Sequence, residues 1–394
     1  MKTKRFALLP LALLICGCAP SSPKGFLTDI EPLQELPEVD QNRLLASTSL
    51  HYAQMGANYD GNYVYSPLGL ALSLAGTALA SNGSERTLSE LGIDEEGYLS
   101  LVRSLNFDFK REPTGPGEQG HNSSLRCFAF LQAIGGNVSV NEEEASHLAE
   151  LGISNISSSF KTYKDDAQAV LDELSGREMP MPEFEIPSDY DAAAACYSGV
   201  SLIDSRPEEG IVKREFASYY GESIDEVDCQ PIDGLYRYYD GEGFQAMRFA
   251  ISATDMTIVL PDEGVSLEEI SLSEAANEFE DNAKATLLEG YVPYFKLTSQ
   301  VDYTPYLAQF GIRTPLFGRF VTSLPLTGVI CLQKTEFEFA PKGVSGKSVT
   351  VTAAFPEAGD VIGPEPIEFD VNRPFYFVSS YRGMPIFAGS ILSL

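Results

Sequence analysis

The chain has 394 residues, with 56 acidic and 27 basic side chains, and its formal net charge at pH 7 is −29. An acidic surface repels polyanions, and no cluster of Lys or Arg occurs beyond the first five residues, so nucleic acid and heparin-like partners are not expected. The length would permit two domains, but no linker or internal repeat divides it, and one large domain is predicted.

The first 17 residues have the pattern of an export signal. Lys2, Lys4 and Arg5 precede an apolar run at 6–15 that is too short to cross a bilayer. The segment Ile15–Cys18 resembles a bacterial lipobox, which implies cleavage before Cys18 and attachment of lipid to this residue. An ordinary secretory signal is the alternative. Residues 18–38 are proline-rich and are predicted to be a lipid-anchored tether, and residues 39–394 form the folded domain.

The first half of this domain is predicted to be mainly helical. A helix is predicted over 39–54, with Asp40 as its cap, and the next has Ser66 as its N-cap and Pro67 at its first position, where no N–H is needed. The residues after Pro67 are apolar nearly all round, which is typical of a buried helix. Further helices are predicted at 81–93, 141–152 and 164–176, a loop at 110–122, and strands at 123–134 and 190–202.

The second half is predicted to consist mainly of strands. Antiparallel strands at 244–251 and 256–264 precede a helical segment at 266–281, and residues 290–312 are predicted as a strand followed by a helix. Strands at 327–340 and 367–378 are joined by about two dozen residues, whereas connections in compact domains usually have about 4–6. A loop of this length is disordered or functional. Its residues 348–355 are rich in β-branched side chains and would form a strand if given a place in a sheet.

Three stretches resemble the serpins, the serine protease inhibitors. FDVNRPFYFV at 369–378 resembles their C-terminal signature, and NYVYSPLGLALSL at 62–74 resembles their second helix. The strand, glycine, long loop and C-terminal strand pair follow the order and spacing of the serpin reactive-loop region. The resemblance covers about 39–394 and implies an α+β serpin-like fold. This fold has a large central mixed or antiparallel sheet, about eight or nine helices, a second and a third smaller sheet, and a long exposed reactive loop.

The same resemblance identifies a region where the central sheet parts, at Ser66, Pro67 and Ser198. Serpins have an asparagine–alanine pair where this chain has Ser198-Gly199, and they have a tryptophan further on, whereas this chain has none. A serine hydroxyl is expected to replace only part of the hydrogen bonding that an asparagine would provide across the parting sheet.

No enzyme, cofactor or metal site is predicted. The histidines, at 51, 121 and 147, are not near a G-x-S-x-G motif and lack metal-ligand spacing. Beyond the signal, the cysteines at 127, 196, 229 and 331 are predicted to be buried free thiols, although an exported protein could pair them. The resemblance places Cys196 and Cys331 in neighbouring strands, but spacing alone does not establish a bond.

The side chains of the loop alternate in a way that would allow the loop to insert into the central sheet as a strand. Side chains that face inward from an inserted strand must be small or uncharged. If Gly343 is the hinge glycine, the inward set is Val344, Gly346, Ser348, Thr350 and Thr352, and Lys347 faces outward. The alternative register, with Gly346 as hinge, turns Lys347 inward and would stop insertion. The predicted hinge is therefore the run Gly343, Val344, Ser345, Gly346, Lys347 and Ser348, although serpin hinges usually carry glutamates before the glycine and alanines after it.

The same two registers give the bond that a protease would attack. The first gives Glu357 and the second Asp360, and Phe355, Ala358 and Val361 are close enough to compete. No Lys or Arg lies between Lys347 and Arg373, so the predicted target is an elastase-like or acidic-preferring serine protease rather than a trypsin-like one.

The predicted function is suicide inhibition of a serine protease by a monomeric lipoprotein at the cell surface. Cleavage of the loop would be followed by its insertion into the central sheet, with the acylated protease attached. One alternative is a non-inhibitory serpin-fold lipoprotein that acts as a binding or structural protein. Another is a glycan-binding surface protein that uses exposed members of its 19 tyrosines, although these are spread along the chain.

Lipid attachment at Cys18 can be tested directly. Cys18→Ala should abolish incorporation of labelled palmitate and release the protein from the membrane fraction, because Cys18 is the cysteine that directly follows the predicted cleavage site and would carry the lipid. Cys16→Ala is the matched control and should leave labelling unchanged. Labelling that survives Cys18→Ala would contradict the assignment.

Overall fold

The computed structural model describes residues 61–83, 85–111, 121–136, 138–186, 190–206, 210–309, 311–322, 325–326, 328–346 and 366–394. The predicted signal, Cys18, the tether, the helix at 39–54 and most of the loop lie outside these ranges. Among the described residues, no helix is long and apolar enough to span a membrane.

Six α-helices occur in the described ranges, together with two short 3-10 turns at Leu267–Glu269 and Thr304–Tyr306. The α-helices are α1 (Pro67–Leu79), α2 (Glu85–Leu91), α3 (Glu95–Leu105), α4 (Glu142–Glu150), α5 (Tyr163–Ser175) and α6 (Leu272–Asn282). The strands are β1 (Tyr63–Tyr65), β2 (Phe107–Arg111), β3 (His121–Ile134), β4 (Ile153–Ser158), β5 (Ala193–Ser205), β6 (Val212–Ala217), β7 (Ser223–Asp240), β8 (Phe244–Ala250), β9 (Asp255–Pro261), β10 (Lys284–Pro293), β11 (Phe295–Asp302), β12 (Leu332–Ala340), β13 (Gly343–Gly346), β14 (Ile367–Asp370), β15 (Phe375–Tyr381) and β16 (Met384–Ile391).

The predicted helix boundaries are confirmed where capping residues set them. The Ser66 hydroxyl accepts a hydrogen bond from the Gly69 N–H at 3.0 Å, with Pro67 next in the chain. The Asn141 side chain accepts from the Glu144 N–H at the start of α4. Helix α5 ends at Gly176, whose φ of +73° lies in the left-handed region that favours glycine.

The first sheet has seven strands, in the order β11-β12-β13-β5-β3-β2, with β4 paired to β3. Strand β4 runs parallel to β3, and the other neighbours are antiparallel. This is the large mixed sheet that the resemblance implies. Its outer face packs on α5 through the aromatic rings of Phe128, Phe130 and Tyr197.

The second sheet has nine strands, in the order β1-β16-β15-β9-β8-β7-β10-β14, with β6 also paired to β7. The long strand β7 joins two halves. Its first half pairs with β6, its last residues pair with β8, and β10 lies along it. These halves correspond to the two smaller sheets expected of the fold.

The core lies between the two sheets, and α1 lies within it. This helix contacts β3 and β5 of the first sheet and β16 of the second. All but two of its thirteen residues are buried, as the nearly uniform apolar sequence predicts. Beside α1, the rings of Phe295 and Phe337 from the first sheet pack against that of Phe377 from the second, so the two sheets are in direct contact there.

Several predicted element boundaries are wrong. The strand predicted over 327–340 begins at Leu332, because the Cys331 N–H is bonded to the Thr304 hydroxyl instead of a strand neighbour. The strand predicted over 367–378 is two strands, β14 and β15, because Pro374 has no N–H to continue a ladder. The helix predicted to follow β11 is only a 3-10 turn among the described residues, and the predicted loop at 110–122 contains strand pairs at both ends.

Asn106 ties α3 to β3 at a buried position. Its amide donates to the carbonyl oxygens of Val102 and Cys127, at 2.6 and 2.7 Å, and its oxygen accepts from the Cys127 N–H at 2.9 Å. A buried backbone group that loses its partner costs about 1–3 kcal/mol.

Asn106→Ala should therefore lower the free energy of unfolding by about 3 kcal/mol, measured by chemical denaturation. Asn282→Ala is the matched control, since the Asn282 amide makes one exposed bond to the Glu278 carbonyl. It should change stability by less than about 0.5 kcal/mol. Equal effects of the two changes would contradict this account.

Candidate functional site

The first sheet has an opening between two of its inner strands, β12 and β5, where the loop begins. Strand β13 has four residues and lies between β12 and β5, where Gly343 pairs with both Ala340 and Ser205. Beyond Gly346, no described strand continues between residues 193–201 of β5 and 332–337 of β12. We call this opening the slot and the two strands its walls.

The slot opens into a cavity of about 680 Å³. Residues of α1 from Ser66 to Thr77 line one side, and the two walls contribute residues from Ala193 to Val200 and from Gly328 to Glu336. The segment from Met179 to Ile186 lines the side near α5. The cavity is therefore bounded by helix α1 beneath the sheet and has the unpaired strand edges as its sides.

The pairing of β13 with both walls fixes which wall residues lie opposite each other. Since Gly343 pairs with Ser205 and Ala340, these two residues lie at one level of the slot. Counting seven residues back along each wall brings Ser198 level with Gln333. The two walls run parallel, because each is antiparallel to β13.

The predicted sheet-opening residues are close together, but Ser198 does not bond across the slot. The Ser198 hydroxyl donates to the Gly69 carbonyl of α1 at 2.7 Å. The Ser66 hydroxyl donates to the Ile386 carbonyl on β16 at 2.7 Å, so the start of α1 is also held to the second sheet. The hydrogen bond expected across the parting sheet is thus replaced by a bond from one wall to the helix below it.

Gln333 is the residue that sequence reasoning missed. Its amide donates to the Ser66 carbonyl at 2.9 Å, and its oxygen accepts from the Ser66 N–H at 2.8 Å. A Cβ at position 69 would lie 3.2 Å from the Gln333 amide nitrogen, which favours glycine there. The signal was available, because alternation along β12 places Gln333 on the same face as buried Thr335 and Phe337.

The predicted hinge residues Gly343, Val344, Ser345 and Gly346 form β13. Gly343 has φ of +120°, and a Cβ there would lie 1.9 Å from the Asp204 carbonyl oxygen, so only glycine fits. The Val344 side chain is 2% exposed, on the face that the first register assigns inward. Lys347 and Ser348 lie outside the described residues, as do Phe355, Glu357, Ala358, Asp360 and Val361.

Buried polar groups surround this end of the slot. The Asp204 carboxylate, which is 1% exposed, accepts hydrogen bonds from the Thr254 N–H and hydroxyl at 3.2 and 2.7 Å. The Arg206 N–H donates to the Lys342 carbonyl at 3.0 Å, and its guanidinium donates to Gln230. The turn that leads into β13 is thereby fixed to the end of β5.

Comparison with known proteins agrees with this arrangement. Residues 207–394 match the family model for Serpin (serine protease inhibitor). The chain therefore contains a serpin domain within these residues. The family is one of inhibitors, which confirms the prediction that the chain is not an enzyme.

Among individual serpins, the alaserpin of Manduca sexta is 26% identical over 180 residues, which are 43% of this chain and 42% of that protein. The match thus spans less than half of this curated relative. The fold of this chain resembles that of the thermophilic serpin tengpin in its native state, with a TM-score of 0.70 and 17% identity. That alignment covers 95% of this chain and 100% of tengpin. Serpin48 of Tenebrio molitor gives a TM-score of 0.64 at 17% identity, covering 90% of this chain and 98% of its own.

The four described cysteines are free thiols. Burial raises the pKa of Cys196, Cys229 and Cys331 to about 12 and raises that of Cys127 further. They are therefore protonated at neutral pH and poor nucleophiles. Among the described residues, no group of three or more His, Cys, Asp or Glu side chains is placed to hold a metal ion.

Gln333→Ala should lower the free energy of unfolding by about 2 kcal/mol, because the Ser66 N–H and carbonyl lose their partner in a half-buried site. Gln300→Ala is a close control: the Gln300 side chain also bridges the N–H and carbonyl of one residue, Glu183, but at an exposed position. Its cost should be below about 0.5 kcal/mol by denaturant titration. A larger loss for Gln300→Ala would show that burial does not decide the effect.

Proposed function

We propose that this serpin inhibits serine proteases as a suicide substrate. The observation that carries the proposal is β13, the first part of the loop, which already pairs with both walls of a slot that no other described strand occupies. A loop cut beyond this point would be free to continue along the same two edges. An uncleaved loop is restrained at its far end, where β14 pairs with β10.

The loop sequence fits the slot in the register that β13 sets. Continued by nine residues, it brings 347–355 opposite 201–193 of β5. The side chains on the buried face of Val344 would then be those of Gly346, Ser348, Thr350, Thr352 and Ala354, which are small and uncharged. Lys347 would face outward, level with exposed Glu336, where its charge has a partner.

Insertion would also supply the driving force. Each backbone hydrogen bond contributes about 1 kcal/mol net, so nine residues paired on both edges contribute on the order of 10 kcal/mol. The slot edges carry backbone groups that no described strand satisfies, and the inserted strand would satisfy them. This free energy is available only after cleavage, and it can displace an attached protease.

The proposed target is an elastase-like or acidic-preferring serine protease, which follows from the residues between Phe355 and Val361. The proposed location is extracytoplasmic, at the cell surface, with lipid on Cys18 and the protein monomeric. The net charge of −29 supports a solvated, unassociated surface at neutral pH.

The test is incubation of the purified protein with pancreatic elastase, a glutamyl endopeptidase, chymotrypsin and trypsin, followed by a denaturing gel. A band at the summed mass with elastase or the glutamyl enzyme is expected, and its mass spectrum identifies the cleaved bond. Clean cleavage between Phe355 and Asp360 without such a band would favour the non-inhibitory alternative. A stable complex with trypsin alone would overturn the proposed specificity.

A matched pair of loop variants tests insertion itself. Thr350→Glu places a charge on the buried face between Ser198 and Gln333, so it should cut complex formation at least about tenfold while cleavage continues. Val349→Glu places the same charge on the outward face, level with Lys334, and should inhibit nearly as the unaltered protein does. Equal loss in both variants would contradict the register.

A further inference from the structure

Two of the four described thiols lie at one level of the slot. Gly343 sets Ser205 level with Ala340, and counting nine residues back along each wall brings Cys196 level with Cys331. Cys331 is one residue before β12, and the Tyr303 N–H donates to its carbonyl at 2.7 Å, one residue beyond the last pair of β11 and β12, which holds Cys331 in line with the strand. The count therefore extends to Cys331.

Both side chains also face the same way. A Cβ at Gly76 of α1 would lie 2.8 Å from the Cys196 sulfur, so this thiol faces the helix beneath the sheet. Cys331 is two residues before Gln333, whose side chain reaches Ser66 of the same helix cap, and side chains two apart in a strand share a face. Both cysteines line the cavity.

We propose that Cys196 and Cys331 form a reversible disulfide that holds the slot closed and blocks strand insertion. Its effect on inhibition rests on the proposed function, whereas the bond and the closed slot do not. The site is thus a redox-controlled modification site between the two walls.

The disulfide and the inserted strand exclude each other on distance. If the slot closed, the two walls would be adjacent strands about 4.8 Å apart, and the facing Cα atoms would lie within the roughly 4.4–6.8 Å that a disulfide spans. With a strand between the walls the separation doubles to about 9.6 Å, beyond the limit of about 7 Å. In the register of β13, the residue that would separate the two thiols is Thr352.

The bond forms by thiol–disulfide exchange with a low-molecular-weight disulfide such as oxidised glutathione. The two protein thiols lose two protons and two electrons, one sulfur–sulfur bond forms, and the reagent is reduced to two thiols. Burial raises the pKa of both cysteines to about 12, and Cys196 contributes to the shift at Cys331. Exchange is therefore slow at neutral pH and faster at alkaline pH, where more thiolate is present.

The other two thiols lack such a partner. Cys127 on β3 pairs with Val200, and Cys229 on β7 pairs with Val212 and Pro293. Oxidation should therefore select the pair at the slot. This difference supplies the control, because Cys229→Ser removes a buried thiol without touching either wall.

The experiment compares the full protein after equilibration with oxidised or reduced glutathione. Peptide mapping without reduction should find the bond between Cys196 and Cys331, absent in Cys331→Ser and present in Cys229→Ser. A fluorescent peptide with the sequence of residues 347–355 should bind the reduced protein at least about tenfold more tightly than the oxidised one. Complex formation with elastase or the glutamyl endopeptidase, whichever the reduced protein traps, should fall by a similar factor on oxidation and recover on reduction.

We call the disulfide that holds the slot closed the lock. The possible results distinguish failure of the lock from failure of the proposed inhibition. No such bond, or a bond that leaves peptide binding unchanged, overturns the lock even if the reduced protein traps proteases. A bond that excludes the peptide, in a protein that traps no protease in either state, sustains the lock and refutes inhibition. Failure of the reduced protein to bind the peptide also overturns the lock, since the slot would then accept no strand.

Discussion

The structure depends on two strand edges that face each other, and over most of their length no strand of the described residues lies between them. Backbone N–H and C=O groups at such edges are costly to bury unpaired, and a good strand that enters between them gains free energy. The four residues of β13 occupy only the upper end of this opening. The chain directly after β13 is uncharged except for one lysine and is rich in β-branched residues, so it is suited to form the strand that would pair with both edges.

Helix α1 keeps the opening in place from below. Its first residues are bonded to one wall through Gln333, to the other through Ser198, and to the second sheet through Ile386. Each wall is thus tied to the helix, and within the described part of the chain the two walls are not paired with each other. This leaves the walls free to separate while the helix and the second sheet stay together, and it leaves the thiols of Cys196 and Cys331 on the same side of the sheet.

Local chemistry made much of the fold predictable. Ser66-Pro67, Asn141 and Gly176 mark helix ends through caps whose hydrogen bonds need only a few neighbouring residues. The alternation of the loop indicated that Val344 faces inward, and it is buried. One boundary failed because a distant partner decides it, since the Thr304 hydroxyl takes the N–H of Cys331. The other failed at a local feature, since Pro374 interrupts a run that is otherwise apolar enough for one strand. Helix α3 was not among the predicted elements.

By itself, the sequence determined the family resemblance, the unusual length of the loop, its small inward side chains and the ends of the capped helices. These depend on residue identity and on spacing within one segment. Only the tertiary structure decided which residues face each other across the slot, since Ser198 and Cys196 lie more than a hundred residues from Gln333 and Cys331 in the sequence. Their levels are fixed by the register of β13 between two walls, and Gly343 sets that register because no larger residue fits against the Asp204 carbonyl.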